Sequence, residues 1–210
     1  MGDTEPAPLS LPLPRTSRGR RTRQKILAAA EDVFGRDGYH HASIVDITRA
    51  AGVGQGTFYL YFPSKEALFV ELVRAMGHEM RRRLHEATRD ATDRDAAEEA
   101  GFRAFFEYVA RHPNGYRVVR ECEFVAPDEH RAWYQRLAER YVEGLRRASA
   151  AGQVRDLDLE SAAYCLMGMG DFLSMRLVRW ERRRRIPARA LRTLMEIVRG
   201  GVLTRADPAT

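Results

Sequence analysis

The sequence predicts an all-α protein, with a small head of short helices at the N-terminus and a larger helical bundle behind it. Three observations predict it. Apolar residues recur at i, i+3, i+4, i+7 and i+8 along successive segments, the signature of a helix with one buried face. Glycine and proline fall at the joins between these segments, at Gly38, Gly52, Pro63, Pro113, Pro127 and Pro187. Residues such as Ser43 stand where a short polar side chain caps a helix N-terminus.

In chain order, residues 1–19 are repeatedly broken by proline and carry little apolar pattern, so a disordered arm is expected there. The arm turns basic at its end and runs into the first helix through Arg15, Arg18, Arg20, Arg21, Arg23 and Lys25, with no acid among them. Such a run is either a solvated linker or a segment that touches nucleic-acid phosphates. From Thr22, the stripe Ile26, Ala29, Ala30, Val33 and Phe34 marks a core-facing helix that Gly38 stops. Ser43, with Asp46 three residues on, opens a second helix with Ile44, Ile47 and Ala51 on its inner face. Gly52 breaks that helix, and a third follows at about 55–61. Pro63 and Ser64 end the third helix and cap a fourth that runs into the 80s.

Two short helices joined through a glycine turn outline a helix-turn-helix. Val53 and Phe58 are expected to face the core, and Phe58 and Phe62, four apart, share a face. The other face is free to enter a DNA groove. Gly56 admits close backbone approach, Gln55 and Thr57 suit base edges, and Tyr59, Tyr61 and Lys65 suit phosphates. Arg20 joins them from the basic arm. Residues 15–66 hold nine Lys/Arg against five Asp/Glu, and the whole chain carries +6, which favours an anionic partner.

Residues Ala30, Phe34, Gly38 and Tyr39, followed by the run from Ala51 to Leu68, AGVGQGTFYLYFPSKEAL, resemble the DNA-binding domain of the TetR family of bacterial transcriptional regulators. The likeness covers about the first third of the chain. It implies an all-helical homodimer: a three-helix helix-turn-helix head (20–66) on a helical-bundle ligand-binding and dimerisation domain (67–210), repressing genes until a small ligand releases it from a palindromic operator. By that resemblance, Gln55, Gly56 and Thr57 read bases, Tyr59, Tyr61 and Lys65 clamp phosphates, and Ser43 and Ile44 open a helix whose backbone amides meet a phosphate. Thr48 departs from the family's usual alanine and brings a hydroxyl that must be satisfied.

Further helices are expected at about 66–89, 96–111, 115–124, 128–151, 158–182 and 187–203. Ala162, Leu166, Met169, Leu173 and Leu177 form one stripe, read as a dimer seam in the last two helices. Gly168 and Gly170, poor helix formers, suggest close helix approach there. A ligand cavity is expected from Phe102, Phe105, Phe106, Phe124, Trp133, Tyr134, Tyr164, Met167, Phe172 and Met175. Such a lining suits a long apolar ligand, and the segment 117–145 resembles members of the family that sense fatty acids or acyl-CoA thioesters. The run ERRRR at 181–185 is a charged helix end or a site for the phosphates of a CoA moiety.

No G-x-S-x-G, H-E-x-x-H, Walker or dinucleotide fingerprint occurs, so no catalytic set, metal site or cofactor is expected. No apolar run is long enough to span a membrane, and the two cysteines suggest a reducing cytoplasm. Two alternatives remain at this point. One is a helical enzyme acting through a buried acid such as Glu121 or Glu123, and the other is an arginine-rich protein of membrane surfaces.

Overall fold

The computed structural model describes residues 11–204, so most of the N-terminal arm lies outside the described residues. The described chain is all-α, with no strand and a single antiparallel bridge between Val154 and Leu203. The helices are α1 (Ser17–Asp37), α2 (Ile44–Ala51), α3 (Gln55–Tyr59), α4 (Lys65–Thr88), α5 (Arg94–Arg111), α6 (Pro113–Val125), α7 (Pro127–Ala150), α8 (Leu159–Ser174) and α9 (Ala188–Gly201). A six-residue π-helical segment, Met175–Trp180, continues α8. Helix α1 starts at Ser17, so it takes in the last residues of the expected arm, and Thr16 caps it by accepting from the Gly19 amide at 3.1 Å.

The chain divides into two compact units. Within the described residues, one runs up to Gly77 and includes Asn114–Trp133, and the other joins His78–Pro113 to the chain from Tyr134 onward. The first unit therefore reaches past residue 66. Its core is built on the predicted stripe of α1, with Ile26, Ala30, Val33 and Phe34 buried beside Ile47, Phe58, Phe62, Leu68 and Phe69. Phe69 packs edge-on to Phe34 and to Tyr39, with ring centroids 5.3 and 5.0 Å apart.

Helix α6 joins this unit with Val118, Val119 and Cys122 buried, and polar bonds fix its place. Arg117 donates to the carbonyls of Gly35 and Arg36 at 3.1 and 2.8 Å, and Glu121 accepts from the Tyr39 amide at 2.8 Å. These bonds satisfy carbonyls and an amide at the C-terminal end of α1, which the helix cannot satisfy itself. Glu121 is thereby a tie between α6 and the end of α1.

The second unit has its own core of Phe102, Phe106, Leu145, Ala163, Leu166, Leu194, Met195 and Val198. The expected dimer-seam stripe lies here instead: Ala162, Leu166 and Leu177 are buried in this core, and Met169 and Leu173 pack against it. The periodicity of α8 was right, but its stripe is spent in the chain's own core, which also holds Phe102 and Phe106 of α5 and Leu194, Met195 and Val198 of α9. A buried polar cluster sits in the same unit. The carboxylate of Glu98, only 3% exposed, accepts from the Arg94 guanidinium and from the Tyr141 hydroxyl. Arg94 also lies over the Tyr141 ring at 5.2 Å, and a Cβ on Gly144 would stand 2.8 Å from its Nη1. Burial, then the Glu98 charge, holds the Tyr141 hydroxyl well above its ordinary value.

Two glycines test this packing with opposite signs. A Cβ on Gly35 would lie 2.2 Å from the Asn114 Cβ and 2.7 Å from its backbone Cα. Gly35→Ala should therefore cost about 1–3 kcal/mol, read from urea unfolding. On Gly101 the nearest atom is the Thr88 methyl at 3.6 Å, an ordinary contact. Gly101→Ala should stabilise by up to about 1 kcal/mol through helix propensity.

A second prediction concerns alkaline pH. Burial, and then the charge of Glu129, push the Cys122 thiol from 9.0 up to about 12. The folded state holds this proton more tightly than the unfolded chain does, as it does that of Tyr141. Their stabilisation is complete below about pH 9 and is lost as pH climbs toward 12. Urea midpoints should fall across that window, and a flat profile would contradict the burial of both groups.

Candidate nucleic-acid interface

Helix α2 begins as its sequence demands. Ser43 is extended (φ −110°), and its Oγ accepts from the Asp46 amide at 3.1 Å while donating to the Asp46 carboxylate. The capping pair therefore closes through the hydroxyl, not through the Ser43 amide. Ile44 follows as the first helical residue, where amides lack partners within the helix. Thr48 is 3% exposed, and its hydroxyl donates to the Val45 carbonyl at 3.0 Å, which satisfies the group that replaces the family's alanine. Gly52 closes α2 in the left-handed region at φ +66°, where a side chain would be strained.

Helix α3 has five residues, shorter than expected. One side of it is fixed by Phe58, fully buried and edge-on to Tyr59, with Phe62 buried one turn on. The opposite side is open: Gln55, Gly56 and Tyr59 are exposed and Thr57 half-buried. A Cβ on Gly56 would meet nothing within 4 Å. Val53 is only partly buried and lines a surface cleft with Thr57, so it is not the core residue expected.

Tyr61 is half-buried and leans on the start of α1, its hydroxyl 3.6 Å from where a Cβ on Gly19 would stand. Lys65 is turned further inward. Its Nζ donates to the carbonyls of Tyr39 at 2.8 Å and Ala42 at 3.0 Å, and lies 4.4 Å from the centre of the Tyr39 ring. Two of the three ammonium protons are thus committed to the turn between α1 and α2, and one remains for an external oxygen. Arg20 is exposed and donates to the Arg15 carbonyl at 2.8 Å. Arg23, from the same basic run, pairs with Glu71 and lies over the Phe62 ring at 5.3 Å, so its charge belongs to the fold.

Sequence reasoning grouped the arginines of the run and did not separate their roles. The structure separates them. Arg18, Arg21 and Lys25, spaced as one helical face, border a cleft of about 490 Å³ against Gly52–Gly54 and Thr57. The spacing of three and four residues was the signal available.

The ten expected ligand-lining residues divide between the two units. Phe124 and Trp133 belong to the first and the other eight to the second. Trp133, Phe102 and Phe106 are buried, and Phe105, Tyr134, Met167 and Met175 are partly so. Phe124 (82% exposed), Phe172 (67%) and Tyr164 (42%) face outward, contrary to the expected interior lining. On α8 the apolar residues that turn outward are those flanking the core stripe. Gly170 does mark a close approach, since a Cβ there would touch Phe105 and Phe102 at 3.4–3.5 Å. Gly168 lies in open space. Among the described residues no helix is long and apolar enough to cross a membrane.

Comparison with known proteins agrees with this geometry. A family model described as bacterial regulatory proteins of the tetR family matches residues 26–72, the span of α1 to α4 that frames α3. The uncharacterized HTH-type transcriptional regulator YdgC of Bacillus subtilis is 32% identical over 168 residues, covering 75% of this chain and 82% of that protein. Among solved structures, the fatty acid degradation regulator FadR from Bacillus halodurans superposes with a TM-score of 0.78 at 22% identity, over 86% of this chain and 95% of that one. FadR from Bacillus subtilis, solved in complex with stearoyl-CoA, gives 0.74 at 21% identity, over 83% and 96%.

The inward turn of Lys65 makes a prediction that a purely external phosphate clamp would not. Lys65→Met should lower stability in the absence of DNA by about 1–3 kcal/mol, the worth of charge-assisted hydrogen bonds. Urea unfolding of the free protein measures it. An unchanged midpoint would mean that these two bonds hold nothing.

Proposed function

The chain belongs to the tetR family of bacterial regulatory proteins, and from that premise we propose that it is a dimeric repressor that binds a palindromic operator and releases it when a small apolar ligand binds. Membership makes it a regulator of transcription and not an enzyme. The finer reading rests above all on Gly56. A glycine within a helix costs up to about 1 kcal/mol relative to alanine. Nothing among the described residues repays that cost, because the space around Gly56 is open. A close external surface explains it, and the exposed Gln55 and half-buried Thr57 beside it are base-edge readers in the major groove. Tyr59 and Tyr61 then meet phosphates, as does the remaining proton of Lys65, with the first-turn amides of α2 behind Ser43 and Ile44. Arg20 adds charge from the start of α1.

The same reasoning supports a dimer. Gly168 on α8 and Gly200 and Gly201 on α9 have nothing near a would-be Cβ, while Tyr164, Phe172 and Ile197 are exposed on the same two helices. Small residues flanked by exposed apolar ones suit a second copy packed closely on α8 and α9. In this reading the protein works in the cytoplasm, with residues 20–66 as the reading head and 67–210 binding ligand and dimerising. The ligand is a long-chain fatty acid or its CoA thioester, held against Phe102, Phe105, Phe106, Met167 and Met175. The acyl-CoA complex of the structurally similar FadR from Bacillus subtilis supports that class. Ligand favours a head spacing that no longer fits successive major-groove half-sites.

Selection from random duplexes tests the core of the proposal. It should enrich an inverted repeat. Gln55→Ala and Thr57→Ala should each change the preferred bases, and Tyr59→Phe should weaken all sequences about equally. Gly56→Ala should weaken operator binding while leaving thermal stability equal or higher. Failure to enrich any sequence would remove the reading.

A further inference from the structure

The cleft beside α3 has cations that the fold does not use. Arg18, Arg21 and Lys25 line it from α1, with Thr22 between them and Gly54 and Thr57 opposite. None of the three cations makes an ion pair or a side-chain hydrogen bond among the described residues. Their neighbour Arg23, by contrast, is fully engaged with Glu71 and Phe62. Among the described residues no acid lines the cleft, and none stands in the first turn of α1, whose N-terminal dipole adds positive potential. The opposite wall is the α2–α3 turn. There Gly52 and Gly54 lack side chains and have open space around them, so its backbone is accessible.

From this we infer that the cleft is a phosphodiester-binding site, occupied by the strand of the operator that borders the groove entered by α3. The inference rests on the DNA-binding reading and deepens it by adding a row of backbone contacts from α1. Seven residues of helix advance about 10 Å, and one strand places a phosphate every 3.4 Å or so along the duplex axis. Arg18, Arg21 and Lys25 can therefore follow two or three successive phosphates. Because Thr57 borders both the cleft and the open face of α3, strand and base edge are held from one place. The site fixes register and carries no sequence information of its own.

The test is the salt dependence of operator binding for the full-length protein, with the selected duplex as probe. Each phosphate contact contributes about 0.9 to the slope of log K against log salt. With one cleft on each protomer of the dimer, the double variant Arg21→Gln/Lys25→Gln removes four contacts per operator, so it should lose roughly 3.6 from that slope and keep the wild-type base preference. Arg146→Gln, an exposed change on α7 in the other unit, should leave the slope unaltered. All three side chains in question are exposed, and urea unfolding checks that the variants are folded. An unchanged slope in the double variant overturns the inference while leaving the DNA-binding reading intact. A wild-type protein that binds no duplex specifically removes both. Calorimetry with inorganic pyrophosphate separates the remaining source. Tight pyrophosphate binding that the double variant loses, with no change in salt slope, would assign the cleft to a free phosphorylated molecule and overturn the DNA occupant.

Discussion

A helix of five residues cannot hold itself together. Nucleation costs more than its one or two internal hydrogen bonds return, so whatever fixes α3 lies outside it. Three contacts do so. Phe58 and Phe62 anchor one side in the core of the first unit. Gly52 sets the turn in a conformation few other residues adopt. Lys65, at the first turn of α4, ties the chain immediately after α3 back to the carbonyls of Tyr39 and Ala42. α6 enters this arrangement by satisfying the end of α1 through Arg117 and Glu121, which in turn positions Tyr39 beneath Lys65. The short helix α3 is therefore the exposed end of a chain of contacts running from α6 through the end of α1 to α4.

The local parts of this were legible in the sequence. Helix existence followed from the spacing of Ile26, Ala30, Val33 and Phe34, and the α2 boundaries from Ser43 and Gly52. The paired burial of Phe58 and Phe62 followed from their four-residue separation. What was not legible depends on contacts far apart in the chain. A periodic stripe says that a helix has a buried face, and does not say what buries it. Hence Ala162, Leu166 and Leu177 read as well for a seam between copies as for the core they occupy. An aromatic such as Phe124 carries no sequence mark of its exposure. Nor does Lys65 reveal in sequence that two of its protons are spent within the fold. The π-helical end of α8 left no trace in composition.

The second unit is organised around a different constraint. Glu98, Arg94 and Tyr141 place a charge pair and a hydroxyl in a nearly dry setting, where any one of them alone would be costly. Each finds a partner, and Gly144 leaves the room that the guanidinium occupies. Such a cluster admits few alternative arrangements of α5 and α7. It also gives the apolar core around Phe102 and Phe106 a fixed polar edge.

The separation between what holds α3 and what α3 presents has an evolutionary consequence. Phe58, Phe62, Gly52 and Lys65 carry the architecture, whereas Gln55, Gly56 and Tyr59 face outward and pack against little. Mutations at the outward positions are nearly invisible to folding, so under the proposed role of α3 a lineage can explore new recognition sequences without passing through unstable intermediates. After gene duplication, one copy could acquire a different target by drift at two or three positions while its scaffold stayed under unchanged purifying selection.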